Sequence, residues 1–305
     1  MEQRIIVRIP ATTANMGAGF DAFGMAFALY NTVEVKTGGD FSGIRIQNIG
    51  ETTAALEDPK KNLVTVVANQ LWQRVGFVPN GLSFILENNV PVSRGLGSSA
   101  AAIVGGLVAA NAVAGNPLTE KEVLEMAVDE EGHPDNVAPA FYGGFVSSCR
   151  RNGETILLKA QPPKQLKAVV AIPDFHLSTK VAREAMPKQV KMEDAVYNIQ
   201  CASLLVGALL QGDLELFGKA VDDKLHQPYR FPLIKGADAV LAAAKSAGAL
   251  AAALSGAGPT LIAFTDTDGQ KIQKAMEQAW QQQGVHCRVL VLEQDQQGVQ
   301  VSSQS

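Results

Sequence analysis

The segment from Leu82 to Gly115 limits what this chain can fold into more than any other. LSFILE has strand character, PVSRGLGSSAA is a Gly/Ser-rich turn, and a long apolar run from Ala101 to Gly115 follows without a break. A strand passing through such a turn into a helix leaves the turn at the helix N-terminus, where the first N–H groups have no intrahelical partner and the helix dipole is positive. Gly95 and Gly97 let the backbone approach an anion, and Ser98 and Ser99 add hydroxyls, so the expected occupant is a phosphate. On this geometry Gly97→Val should block the anion's path while the protein stays folded. The same letters also suit a Ser-capped core helix with a glycine lead-in. No G-x-x-x-x-G-K-[ST] segment occurs, which excludes the lysine-bearing P-loop.

Bulk properties agree with a soluble enzyme. A chain of 305 residues with 47% hydrophobic content can bury a large core, and its length suits two domains better than one. The net charge of −4, without a basic stripe or polybasic run, argues against a nucleic-acid or membrane partner. Cys149, Cys201 and Cys287 are widely spaced and form no C-x-x-C pair, as expected of reduced thiols in the cytoplasm. The N-terminus enters an alternating strand pattern with no signal-like apolar core, and the run after Ala100 is short, Ala/Gly-rich and interrupted by Asn111, so it reads as a buried helix.

Along the chain, Arg4 to Ile9 and Leu29 to Lys36 read as strands flanking PATTANMGAGFDAFGMA. Helical spacing covers Asn62 to Val75, and Thr119 followed by Glu122 has the pattern of a capping box opening a helix to Val128. GGFVSSC is strand-like and Asn152-Gly153 is a hairpin turn, after which a Pro-containing polar stretch sets a domain boundary near residue 160. Residues 161–305 read as a strand (Ala168 to Ile172), helices at Thr179 to Met186, Met192 to Leu210 and Leu233 to Ala247, and a strand–turn–strand around LSGAGPTLIAF. A helix (Gln270 to Gln283) and a strand (Val285 to Leu292) complete an α+β arrangement, and the polar tail QDQQGVQVSSQS is expected to fray.

PxxxGLGSSAA resembles the ATP-binding motif of the GHMP kinases, a superfamily that includes galactokinase, homoserine kinase and mevalonate kinase. Three more segments extend the likeness over nearly the whole chain. PATTANMGAGFDAFGMAF is similar to the homoserine kinase form of the first motif, EGHPDNVAPAFYGG to its middle segment, and LSGAGPTLIAF to the third motif, with Ser255, Gly256, Gly258 and Thr260. The resemblance implies a two-domain α+β fold: an N-terminal ribosomal-protein-S5-like domain (residues 1–160) that binds ATP and a C-terminal ferredoxin-like domain (161–305). It implies ATP-dependent phosphorylation of L-homoserine to O-phospho-L-homoserine, a step towards threonine, with Mg²⁺ as cofactor. ATP would contact Pro91, Val92, Ser93, Arg94, Gly95, Leu96, Gly97, Ser98, Ser99, Ala100 and Ala101. Homoserine would meet Asn15, Asp21, His133, Asn136, Thr179, Arg183, Arg230 and Gly256. The two arginines fall where the homoserine kinases bind a carboxylate, a task that favours guanidinium over ammonium.

Ser98 and Glu131 are the implied metal ligands, Glu130 being an adjacent rival, because phosphoryl transfer needs a hard cation on the nucleotide phosphates. Asn15, Asp21, Asn136 and Glu131 form the implied catalytic group. Where the mevalonate kinase pattern carries an Asp taken as a base, this chain has Asn136, which cannot accept a proton as a carboxylate does. Catalysis would then rest on positioning and charge stabilisation, with Asp21 orienting the substrate. Each residue has a plainer reading: Asp21 as a cap, His133 as a satisfied loop histidine, Arg183 on a solvated helix face. The competing functions are a GHMP-type kinase for another small alcohol such as mevalonate, and a non-catalytic binding protein on the same fold. A homodimer is compatible with the sequence but not encoded by any segment of it.

Overall fold

In the computed structural model, which describes residues 3–51 and 57–304, two sheets and their helices pack around three apolar clusters. The first half runs β1 (Arg4–Asn15), β2 (Gly19–Lys36), β3 (Ile44–Gly50), α1 (Leu63–Val75), β4 (Leu82–Asn88), α2 (Ser98–Val113), α3 (Glu120–Glu131), α4 (Pro134–Tyr142), β5 (Phe145–Arg151) and β6 (Glu154–Ala160). The second runs β7 (Lys167–Pro173), α5 (Thr179–Glu184), α6 (Met192–Gln211), α7 (Leu214–Ala220), α8 (Gln227–Arg230), α9 (Ala237–Ser246), β8 (Ala251–Leu254), β9 (Leu261–Thr265), α10 (Gln270–Gln282), β10 (Cys287–Leu292) and β11 (Gln300–Gln304).

The first sheet has the order β11-β1-β2-β4-β3, and β2 is long enough to serve two neighbours. Its Thr32–Lys36 portion pairs with β4, and its Phe23–Met25 portion pairs with β5, which continues to β6 through the Asn152-Gly153 turn. The second sheet is β10-β7-β9-β8, antiparallel throughout. With helices between its first two and last two strands, this is the split βαβ order of a ferredoxin-like layer.

Three apolar clusters fill the layers. One joins Ile5, Val7 and Phe84 of the first sheet to α1, α2 and α3 through Trp72, Val104 and Val128. A second holds Met25, Phe27 and Phe145 from the first sheet together with Val170, Ile262 and Phe264 from the second, so the halves are packed as one body. The third lies under α9 and α10, around Trp280. The apolar run after the phosphate turn is α2, buried among these layers, and among the described residues no helix is long and apolar enough to cross a membrane.

The expected elements recur with shifted ends. Thr119 and Glu122 form the capping box that opens α3, and Asn62 caps α1. Two expectations are corrected. PATTANMGAGFDAFGMA is a hairpin: β1 runs on to Asn15 and β2 begins at Gly19, with two register shifts absorbing the irregular backbone. The tail does not fray, because Gln300–Gln304 pair in register with Arg8–Arg4 of β1 and return the chain end to the first sheet.

Candidate active site

Three loop regions meet at the C-terminal end of β1, and backbone contacts fix them before any side-chain chemistry begins. Thr12 N donates to Leu96 O (3.1 Å), Thr260 N to Arg94 O (3.3 Å) and Gly256 N to Ala14 O (3.2 Å). Ser255 Oγ, which is buried, donates to Gly95 O (2.5 Å) and lies 2.8 Å from Thr13 Oγ1. Gly95, with φ +77°, cannot carry a side chain: a Cβ there would stand 2.3 Å from Ser255 O and 3.0 Å from Gly258 O. Gly97 has φ +73°, and its Cβ would stand 2.0 Å from Thr12 Oγ1. The obstacle to Gly97→Val is therefore the protein's own Thr12, which corrects the expectation that such a variant stays well packed and blocks only an anion.

The N-terminus of α2 faces the resulting cleft in the state an anion needs. Gly97 is its N-cap and supplies no side-chain hydrogen bond, and the first turn contains no acidic residue. Neither serine caps it. Ser98 Oγ accepts from Ser93 N (3.3 Å) and Ser99 Oγ donates to Glu131 Oε2 (2.8 Å). Orphan N–H groups, a positive dipole end and two hydroxyls make an anion cradle built of main chain.

Opposite the cradle, charge is concentrated. The cleft, which encloses about 670 Å³ including its open mouth, is lined by Asn15, Asp21, Ser93, Gly95, Gly97, Ser98, Ser99, Glu131, His133, Asp135, Asn136, Thr179, Arg183, Arg230 and Gly256. Asp21 sits in β2 with φ +56°, its N–H donating to Asn15 Oδ1 (3.0 Å), while Asn15 Nδ2 donates to Gly256 O (2.9 Å). Arg183, from α5, grips Asp21 with two 3.0 Å hydrogen bonds. Asn136 Oδ1 accepts from Thr12 Oγ1 (2.8 Å). Arg230 ends α8 at 2% exposure and donates to Gly256 O (3.2 Å).

The segment HPDN is placed by α4, which Pro134 opens and which packs so closely on β2 that a Cβ at Gly24 would stand 1.7 Å from Asp135 O. His133 Nδ1 lies 2.5 Å from the buried Asp135 carboxylate. Burial opposes a charge on His133, but the hydrogen bond and charge of Asp135, joined by the charges of Glu131 and Asp21, hold the imidazole above its ordinary value. Glu131, the last residue of α3, is pushed above the usual carboxylate range by burial. Glu130 turns outward to Gln70 Nε2 (3.0 Å) and does not line the cleft. Asp21, His133 and Asp135 offer ligand atoms within 4.8 Å of one another.

All residues expected on the substrate side therefore converge. The residues expected to contact ATP divide: Ser93, Gly95, Gly97, Ser98 and Ser99 line the cleft, whereas Pro91, Leu96, Ala100 and Ala101 are buried packing residues. Val92 and Arg94 do not line it either, and Arg94 donates to Asp174 O (2.9 Å). Asp135 is an addition to the expected set; its signal was a carboxylate two residues after His133 at the start of a proline-opened helix. Phe20 and His226, stacked at 5.2 Å, also join the cluster, and no local sequence signal marks them.

A main-chain anion cradle facing a charged pocket across two α+β layers defines a GHMP kinase; residues 62–144 match the GHMP kinases N terminal domain and residues 205–282 the GHMP kinases C terminal region. The chain is 45% identical over 284 residues to a homoserine kinase of Moorella thermoacetica, covering 93% of this chain and 95% of that one. It is 43% identical over 294 residues to a homoserine kinase of Carboxydothermus hydrogenoformans, covering 96% and 95%. The crystal structure of homoserine kinase from Cytophaga hutchinsonii superposes with a TM-score of 0.89 at 35% identity, over 98% of this chain and 97% of that chain. The chain belongs to the homoserine kinase family of the GHMP kinases.

Proposed function

We propose that this chain transfers the terminal phosphoryl group of ATP to the side-chain hydroxyl of L-homoserine, forming O-phospho-L-homoserine. The observation that carries this reading is the Asp21–Arg183 ion pair facing the α2 N-terminus in one cleft. A bound amino acid supplies an ammonium and a carboxylate of its own, so it can take over both partners: carboxylate to Arg183 and Arg230, ammonium to Asp21. Mevalonate has no ammonium, and in its place Asp21 would face only Arg183. Asn15, Asn136, Thr179 and Gly256 line the remaining walls and fix the hydroxyl's approach, with His133 held beside them by its contact to Asp135.

The α2 N–H groups receive the phosphates. A loose, metaphosphate-like transition state asks for alignment and charge stabilisation more than for a strong base, which suits a pocket whose residue at the middle motif is Asn136. Glu131 and Ser98 are the residues we assign to Mg²⁺. A desolvated carboxylate hydrogen-bonded to the Ser99 hydroxyl, with Ser98 on the same turn, is a hard-oxygen donor set, and the ion would supply charge neutralisation on the transferring phosphoryl group. The three free thiols fit a cytoplasmic enzyme. Residues 1–160 with the returning β11 would form the ATP-binding half, and residues from 161 to the end of β10 the half that brings Arg183 and Arg230.

An ADP-release assay with L-homoserine, L-threonine, L-serine and mevalonate tests the reading. Homoserine should give the highest kcat/KM. Preference for mevalonate would reassign the substrate, and ATP binding without turnover of any alcohol would favour the non-catalytic alternative.

A further inference from the structure

His226 is wholly buried, lies one residue before α8, and is not needed to make the phosphate cradle or the ion pair at Asp21. Its ring nitrogens nevertheless face groups of opposite hydrogen-bonding character. Nε2 is 2.9 Å from Gly17 O and 3.6 Å from Asp223 Oδ2, and both oxygens accept, so Nε2 carries the hydrogen. Nδ1 is 3.4 Å from Arg230 Nη1, and a guanidinium can only donate, so Nδ1 is bare. The two contacts together define one neutral tautomer. Asp223 does not need the ring's proton: its carboxylate already accepts from Asn198 Nδ2 (2.7 Å) and from the N–H groups of Leu225 (3.0 Å), His226 (2.9 Å) and Gln227 (2.7 Å).

Arg230 is held from three sides. Nε donates to Ala182 O (3.4 Å), and Nη1 is shared between Gly256 O (3.2 Å) and His226 Nδ1. Phe20 closes the arrangement, stacked on the imidazole at 5.2 Å with an interplanar angle of 20° and with the guanidinium carbon 5.1 Å from its ring centre. Among the described residues Nη2 makes no hydrogen bond, although the residue lines the cleft. A buried guanidinium with one amine fully directed by protein acceptors and the other uncommitted is a preorganised half of a carboxylate clamp.

We propose that His226 is a positioning residue: its bare Nδ1 accepts from Arg230 Nη1 and turns the guanidinium so that its free N–H groups meet the carboxylate of the amino-acid substrate. The inference rests on Arg230 being a substrate ligand, as assigned above. Phe20 holds the imidazole plane, and Gly17 in the β1–β2 turn holds its tautomer, so the first motif acts on the substrate's carboxylate through two residues that never touch it.

Two side chains separate the ring's functions. His226→Asn places an amide oxygen near the site of Nδ1 and keeps the acceptor for Arg230, whereas His226→Gln places its amide nitrogen near Nε2 and keeps only the donor for Gly17. The Gln variant should raise the KM for homoserine about tenfold, the loss expected for one hydrogen bond to a charged group, with a smaller change in kcat and in the KM for ATP. The Asn variant should stay closer to the wild type. Equal KM increases in both, or a loss seen only in thermal stability, would overturn the positioning role. Should neither variant fold, long-range ¹⁵N–¹H correlation on the wild-type protein decides: His226 must show a protonated Nε2 and a bare Nδ1 at neutral pH, and the opposite tautomer or an imidazolium refutes the proposal. Arg230→Lys separates the two layers of the argument. An unaltered homoserine KM in that variant would remove Arg230 from the substrate site, while a raised KM alongside a silent His226→Gln would remove only His226.

Discussion

On one side of the cleft the functional groups are backbone amides, set by Gly95, Gly97 and the uncapped start of α2; Arg94, the one charged side chain of that turn, is directed away to Asp174 O. On the other side they are side chains, Asp21, His133, Asp135, Arg183 and Arg230, contributed by β2, α4, α5 and α8. The first wall owes its shape to close packing against the Ser255–Gly258 turn, so its geometry and its function cannot be altered separately. The second is built from charge, and its members differ in how far they are also structural: Arg230 is buried, whereas Arg183 is half exposed. Substitutions should accordingly cost stability on the first side and substrate recognition on the second.

The largest effect expected is from Gly95→Ala. The new Cβ meets main-chain oxygen at 2.3 Å, which cannot swing aside, and the backbone is held at φ +77°. Left-handed backbone and overpacking together cost roughly 2–5 kcal/mol, which should lower Tm by about 5–15 °C and abolish ATP binding with it. Gly97→Ala sharpens the point, because its obstacle is a side-chain hydroxyl: Thr12→Ala in the same protein should recover part of the lost Tm, whereas no single truncation can rescue Gly95→Ala. Wild-type Tm and ATP affinity in Gly95→Ala would break the contrast between the two walls.

Glu131→Gln comes next, and here the loss should be in rate alone. Removing the charge should reduce kcat by roughly 10²-fold, with partial recovery at high Mg²⁺. Burial already disfavours the ionised form of this carboxylate, so a neutral amide should not lower Tm. A fall in Tm comparable to that of Gly95→Ala would place Glu131 among the structural residues, and an Mg²⁺-insensitive loss would move the metal elsewhere.

The two walls also differ in how far the sequence announces them. The cradle is contiguous: strand, glycine turn and helix follow one another, so Gly95, Gly97 and the orientation of α2 can be read from local rules. The capping box at Thr119 and the hairpin at Asn152-Gly153 are legible for the same reason. The charged wall spans Asn15 to Gly256, and only family resemblance brings its residues together in a linear reading. Asp21 illustrates the limit. A Gly/Ala-rich stretch reads as a loop, yet sheet pairing overrides that preference and places Asp21 in β2 at positive φ. The polar tail misleads in the same way: Val301 is the single apolar residue of Gln300–Gln304, too little to mark a strand, and the segment is held by its pairing with β1. Glu130 and Glu131 are indistinguishable in sequence, and only the end of α3 decides which enters the cleft.

His226 offers a test of the buried part of the charged wall by pH. Burial, reinforced by the positive charge of Arg230 and opposed by Asp223 and Asp21, holds the imidazole below its ordinary value. A histidine depressed on folding contributes stability that is fully present above the unfolded value near 6.5 and is lost as pH falls below it, at a limiting slope of about 1.4 kcal/mol per pH unit. Urea denaturation between pH 7 and pH 5 should therefore show a steeper loss for the wild type than for His226→Asn. Parallel curves would mean that His226 titrates freely and that the buried and exposed members of this wall are alike.

The smallest effect on the fold is expected where the effect on recognition is clear. Arg183 and Asp21 have side-chain exposures of 45% and 34%, and an ion pair so open to water contributes at most about 1 kcal/mol. Arg183→Gln should thus change Tm by no more than about 2–4 °C. In the same variant the KM for homoserine should rise by roughly one to two decades, since in the proposed role the arginine would give the substrate carboxylate a charge-assisted, two-pronged contact that an amide cannot reproduce. The KM for ATP should stay near the wild-type value, because the α2 cradle makes no hydrogen bond to Arg183. Equal losses for homoserine and ATP would mean that the ion pair holds the two walls together. A silent variant would mean that Arg183 serves Asp21 alone and that Arg230 binds the carboxylate unaided.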